Sequence, residues 1–260
     1  GSEGRLAGTV FTVQGKHAIR FEGLYFRRLL YANEFLAKPL GMDAAIALDA
    51  CDGMEINRCF NNGYGSPRPA GLVGAWETRG LVVRNSVLAS GWYGLKLMDC
   101  PGALIEHNVF LRNFIHAITV TGGSGKPVKV RRNIITDGVA IKSRAPLIAL
   151  SQPSSMKQKE NLYHFRLTDA EKRPFDIWGQ KSRRMTLAEY QAERGVDGSF
   201  VADPAFSGDP GGGKPDAFPA DRLVARPDLD FAHLFPTAPE AIALGVGLEP
   251  EAFTPIAKTP

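Results

Sequence analysis

Short runs of alternating apolar and polar residues return along the first 160 residues of this chain, each broken near its middle by an Asn. One run reads Leu81-Val82-Val83-Arg84-Asn85-Ser86-Val87-Leu88, a second Leu104-Ile105-Glu106-His107-Asn108-Val109-Phe110. A third reads Val128-Lys129-Val130-Arg131-Arg132-Asn133-Ile134-Ile135, and a weaker copy follows at Lys159-Glu160-Asn161-Leu162-Tyr163. The four Asn residues are 23, 25 and 28 positions apart. Two earlier copies, around Ile56 and Phe21, keep the alternation with the Asn replaced. A period of roughly 20–30 residues signals a solenoid, and period-two alternation on both sides of the Asn signals strands. Leucine-rich repeats share the period but need a different apolar spacing and usually a helix opposite each strand.

An Asn between two short strands fits a sharp corner, because Asn tolerates left-handed backbone angles. Gly23 stands at that corner in the first copy, the other residue type that the geometry accepts. The pattern predicts that Asn85, Asn108 and Asn133 stack at one corner. A further strand-like run precedes each corner pair: Ile46–Asp49, Val73–Trp76, Leu95–Met98 and Ile118–Thr121, with Gly53, Gly80 and Gly102 in the turn after three of them. One repeat is therefore strand, Gly turn, strand, Asn corner, strand and variable loop. This is the coil of a parallel β-helix, with neighbouring coils about 4.8 Å apart. The fold class is all-β, a solenoid of about six coils ending in an irregular and helical capping segment.

At these residues the chain resembles the right-handed parallel β-helix proteins of the pectate-lyase-like superfamily, over about residues 9–165. Glu160-Asn161-Leu162-Tyr163, Thr186-Leu187-Ala188-Glu189-Tyr190-Gln191-Ala192-Glu193-Arg194-Gly195 and Ala202-Asp203-Pro204-Ala205-Phe206 look like the tail that closes many secreted bacterial β-helix proteins. Glu240-Ala241-Ile242-Ala243-Leu244-Gly245 looks like the run that commonly ends them. The resemblance implies a right-handed coil and a protein that is secreted, periplasmic or on the cell surface of a bacterium. The superfamily contains polysaccharide lyases, glycoside hydrolases and surface proteins, so the fold alone selects no chemistry.

Residues 1–165 read as the coils and 166–260 as a C-terminal cap and extended tail packed on them, one structural domain in all. Thr186 and Glu189 form a capping-box pattern, Gly195 stops the predicted helix, and Leu187 and Tyr190 mark its apolar face. The first strand-like run, Thr9–Val13, begins with no amphipathic helix ahead of it. The expectation is a covering partner for that open coil: an N-terminal β-helix portion or a second chain. With 44% hydrophobic and 22% charged residues the composition is that of an ordinary globular chain, and no apolar run reaches the roughly 18 residues of a membrane span. A net charge of +4 suits an anionic polymer but falls short of a nucleic-acid footprint. Cys51 and Cys100 stand two coils apart, about 9.6 Å, beyond the roughly 7 Å reach of a disulfide.

The resemblance places ligands in a groove over the first strand of each coil, walled by the loops leading into it. Aligning the coils on their Gly turns gives two outward columns: Ala47, Gly74, Lys96, Thr119, and Asp49, Trp76, Met98, Thr121. Loop residues Tyr64, Arg68, Trp92, Tyr93 and His116 enter from the variable side. Trp76, Trp92, Tyr93 and Tyr64 are candidates to stack on sugar faces, and Lys96, His116 and Arg68 to meet carboxylates or sulfates. For a lyase, Lys96 or His116 is the candidate base and Tyr93 the acid. For a hydrolase, Asp49 and Glu77 are the candidate carboxylate pair, with Asp99 in reserve. The same side chains also have a structural reading as loop packing, turn formers and solvated surface. No cofactor or metal motif is present; Ca2+ is compatible with the reading but no motif supports it. Two functions remain open: a polysaccharide lyase or glycoside hydrolase, and a non-catalytic adhesion or glycan-binding solenoid.

Overall fold

A computed structural model describes residues 9–27, 44–63, 70–113, 115–122, 125–136, 147–165, 173–178, 183–208, 210 and 228–253. The chain is mostly β, and each repeat lays down three strands. The first repeat gives β1 (Phe11–Gln14), β2 (Arg20–Glu22) and β3 (Tyr25–Arg27); the second gives β4 (Ala44–Asp49), β5 (Glu55–Asn57) and β6 (Phe60–Asn62). Then come β7 (Gly71–Trp76), β8 (Val82–Arg84) and β9 (Val87–Ala89), followed by β10 (Tyr93–Met98), β11 (Leu104–Glu106) and β12 (Val109–Leu111). The fifth repeat is β13 (His116–Thr121), β14 (Val128–Arg131) and β15 (Ile134–Thr136); the sixth is β16 (Ile148–Leu150), β17 (Met156–Lys159) and β18 (Leu162–His164). After these come β19 (Phe175–Ile177), β20 (Arg183–Met185), α1 (Leu187–Arg194), β21 (Phe200–Val201) and α2 (Pro239–Ala243).

From β1 to β19 every third strand joins the same sheet. Sheet one runs β1-β4-β7-β10-β13-β16-β19-β20, sheet two β2-β5-β8-β11-β14-β17, and sheet three β3-β6-β9-β12-β15-β18-β21. Among the described strands every pairing is parallel except β19 with β20. The register stacks like on like. Ile46, Val73, Leu95, Ile118, Ile148 and Phe175 form one buried column of sheet one, and Leu48, Ala75, Leu97, Val120, Leu150 and Ile177 another. Ile56, Val83, Ile105 and Val130 continue the same core from sheet two. Cys51, Cys59 and Cys100 are free and buried in it, and desolvation pushes the thiols of Cys59 and Cys100 up to about 11, so they pack as small apolar groups.

Corners between strands are left-handed and stacked. Gly23, Arg58, Asn85, His107, Arg132, Glu160 and Gly198 all have positive φ at the corner between sheets two and three. Here the expected Asn stack is corrected by one residue. Asn85 turns the corner, whereas Asn108, Asn133 and Asn161 occupy the next position and bridge the repeats. Asn108 Nδ2 donates to Asn133 Oδ1 at 3.0 Å, and Asn133 Nδ2 donates to Asn161 Oδ1 at 3.0 Å. In the repeat of Asn85 the bridging position is Ser86, whose hydroxyl accepts from Cys59 N at 3.1 Å and whose N–H donates to Asn108 Oδ1 at 3.0 Å. The backbone turn and the side-chain bridge are separate demands on adjacent residues. Asn can serve either, because it tolerates positive φ and also carries both a donor and an acceptor.

At the C-terminal end, Thr186 and Glu189 make the reciprocal capping box, with Glu189 N donating to Thr186 Oγ1 at 3.1 Å and Thr186 N to Glu189 Oε2 at 2.7 Å. The helix α1 buries Tyr190, whose ring stacks on Phe175 at 4.2 Å between centroids and whose hydroxyl donates to Met156 O at 3.2 Å. Leu187 is half-buried against the same core. The tail at 228–253 covers the outer column of sheet three: Phe60, Val87, Val109, Ile134 and Leu162 pack on Leu229, Phe231, Leu234, Ala241, Val246 and Leu248. Asn85 fastens that tail, donating to Glu249 Oε2 and accepting from Glu249 N, both at 3.0 Å. His107, beside the corner, also serves the tail, with Nδ1 3.2 Å from Gly247 O. At the other end β1, β2 and β3 are edge strands, and Phe11 is 38% exposed although its register partner Ile46 is fully buried.

Candidate functional site

Sheet one is irregular at its entry, and that irregularity builds the site. The N–H groups of Ala117 and Ile118 both donate to Leu147 O, at 2.7 and 3.2 Å, so two residues of β13 oppose one in the next repeat. Ala117 and Ile118 accordingly both lie in the core, as Ala45 and Ile46 do in β4. The preceding residue is thereby turned to the outer face, alongside the Lys96 column. In β10 the residue at the kink is Gly94, where a Cβ would stand 2.4 Å from Ala117 O.

Tyr93 and His116 are register partners, with ring centroids 5.9 Å apart. Lys96 Nζ lies 5.5 Å from the Tyr93 ring centroid, within cation–π reach. Thr119 Oγ1 lies 3.3 Å from His116 Nδ1. The structure therefore brings together Tyr93, Lys96 and His116 of the sequence-predicted set. It adds two residues from β19 and its end, beyond the repeats that the sequence delimits. Asp176 continues the column Ala47, Gly74, Lys96, Thr119, Ala149, and its Oδ2 accepts from Trp178 Nε1 at 2.8 Å. Trp178 turns back so that its ring is 5.6 Å from that of His116. Between Thr119 and Asp176 the column holds only the methyl of Ala149, which leaves room for the two rings. The signal was present in Phe175-Asp176-Ile177, which repeats the in-out-in pattern of Ile118-Thr119-Val120.

Burial decides the charge state of His116. His116 is 5% exposed, and desolvation lowers its pKa to about 4, with Asp176 opposing the shift and Arg184 adding to it. Its imidazole is neutral at neutral pH. Trp178, by contrast, is 43% exposed, and Tyr93 and Lys96 are half-buried. The surface offered outward is an indole, a phenol ring and an ammonium, over a buried imidazole and carboxylate.

The other predicted residues are elsewhere. Asp49 is buried and its Oδ2 accepts from Gln14 Nε2 at 2.9 Å. Trp76 stands beside Asp49 and Met98 in the second outward column, and its Nε1 donates to Glu77 Oε1 at 3.0 Å. Glu77 turns the corner into sheet two at φ 46°. Trp92 precedes β10, and its carbonyl accepts from Ile115 N at 2.9 Å. Tyr64 and Arg68 lie outside the described residues. Among the described residues no three of His, Cys, Asp and Glu gather as a metal site, and no helix is long and apolar enough to cross a membrane. The chain matches no family model, no curated protein and no solved structure.

Proposed function

We propose that the chain is a right-handed parallel β-helix of the pectate-lyase-like type, exported to the cell surface or beyond, that binds an anionic polysaccharide over sheet one. The observation that carries this reading is the convergence of Trp178, Tyr93 and Lys96 on one outer face, two of them tied to His116 by ring contacts. Exposed flat rings stack on sugar faces, and the ammonium of Lys96 meets a carboxylate or sulfate. The path through three sheets, with every third strand returning to the same sheet, supports the β-helix reading. The test is titration of polygalacturonate into the parent and into Lys96→Ala/Trp178→Ala. Losing one stacked ring and one ionic contact, each worth roughly 1 kcal/mol, weakens binding at least about tenfold. A double variant that binds as the parent does overturns the proposal.

A lyase is the second reading, favoured by the neutral His116 beside the Tyr93 phenol. A neutral imidazole accepts a proton. In β-elimination His116 would take the proton on the carbon next to the uronate carboxylate, and Lys96 would stabilise the enolate. The electrons then close the carbon–carbon double bond and expel the glycosidic oxygen, to which Tyr93 gives its proton. Trp178 covers His116, so this chemistry requires the indole to swing aside. Ultraviolet absorbance from an unsaturated product, lost in His116→Gln while polygalacturonate binding persists, separates turnover from binding. Binding without product leaves a glycan-binding module.

A further inference from the structure

One groove of the described surface lies away from the aromatic cluster. It runs along the corner between sheets one and two, with a volume of about 590 Å³, and takes its lining from His17 in the first repeat through to Ser155 in the sixth. Five steps between repeats at about 4.8 Å make it roughly 24 Å long, parallel to the stacking direction. Its charged lining carries both signs, Asp52, Glu77 and Asp99 together with Arg79 and Lys126. Glu77 and Asp99 occupy equivalent corners of adjacent repeats, with φ of 46° and 51°. The Asp99 carboxylate stands against Gly122, where a Cβ would lie only 1.9 Å from Oδ1, so the groove keeps this carboxylate by having glycine beside it. Thr121, also on the lining, has a buried hydroxyl oxygen with no hydrogen-bond partner among the described residues.

We infer that this corner groove is a second carbohydrate site, which takes an uncharged, extended polyhydroxylated chain. A long groove running across the repeats fits a linear polymer better than a compact metabolite. Three carboxylates repel a polyanion, while two neighbouring cations cancel the field that would recruit a polycation. What remains is a groove that offers both acceptors and donors, which sugar hydroxyls satisfy in pairs. This site differs from the sheet-one face in both its residues and its ligand charge.

Cellohexaose, xylohexaose and mannohexaose, as neutral extended probes, are titrated calorimetrically into three proteins: the parent, Asp99→Asn/Lys126→Ala, and Lys96→Ala/Trp178→Ala. Asn keeps the shape of Asp and tolerates the left-handed corner, so the groove variant retains the fold. At least one hexasaccharide should bind the parent. The groove variant should lose at least about tenfold in affinity, as expected for removing two charge-assisted hydrogen bonds. The sheet-one variant should bind the same probe within about twofold, because additivity holds for sites without shared partners. The inference is overturned if all three probes fail at millimolar concentration, if the groove variant binds like the parent, or if the sheet-one variant abolishes neutral binding. Polygalacturonate bound by the groove variant as by the parent confirms that the two sites are distinct, and this arm reports on the sheet-one proposal separately.

Discussion

The outer faces of sheets one and three are built by the same repeats and end up with opposite fates. On sheet three the outward column is apolar at each repeat: Phe60, Val87, Val109, Ile134 and Leu162. The chain's own tail covers it, closely enough that a Cβ on Gly247 would stand 2.6 Å from Ile134 Cδ1. On sheet one the corresponding column is Ala47, Gly74, Lys96, Thr119, Ala149 and Asp176, which is small or polar. No apolar stripe attracts the tail there, and the larger side chains gather at one end as Tyr93, Lys96, His116 and Trp178. The residues on the outer face of each sheet thus decide whether the tail packs there.

Substitutions on the two faces should therefore behave differently. The largest expected effect is on sheet three: Ile134→Ala removes a fully buried side chain beneath the tail and should cost about 4 kcal/mol in denaturant unfolding, within the range for such truncations. A loss below about 1 kcal/mol would show that the tail does not depend on this column. Next is the acid sensitivity given by His116. Its pKa is lowered from 6.5 to about 4 on folding, so the unfolded chain binds the extra proton between those values. Stability should be full above pH 6.5 and fall as the pH drops through about 4, by roughly 3 kcal/mol at most. Proton NMR titration of the His116 ring gives the pKa directly, and a midpoint near 6.5 would contradict its burial. Thr186→Ala, which removes half of the capping box on α1, should cost about 1 kcal/mol. The smallest effect belongs to half-buried Lys96: Lys96→Ala should change stability by less than about 0.5 kcal/mol, while the proposed function requires it to weaken polygalacturonate binding.

The strand alternation, the repeat spacing and the Gly turns predict three strands per repeat, and the outward columns read from them match the register of the structure residue for residue. The capping box at Thr186 and Glu189 was equally legible, because it is a local pattern of four residues. The ladder was legible only to within one position. Asn85 and Asn108 look alike in sequence, yet one turns the backbone and the other bridges repeats, a distinction made by the pairing of Arg84 with Glu106 and Asn57. Tyr93, Lys96 and His116 could be placed together because register alone aligns them. Trp178 and Asp176 were not placed with them, since no Asn-corner pair follows β19 and the chain instead turns back antiparallel into β20.

Sequence by itself determined the period, the strands and which side chains face the core, because alternation and turn chemistry act over a few residues. Only the tertiary structure decided which outer face the tail takes, how Trp178 closes over His116, and that Glu77 and Asp99 share a groove apart from Lys96. Those outcomes depend on contacts between residues tens to more than a hundred positions apart. No local propensity encodes them; they are set by which apolar surfaces can be buried against one another once the sheets have stacked.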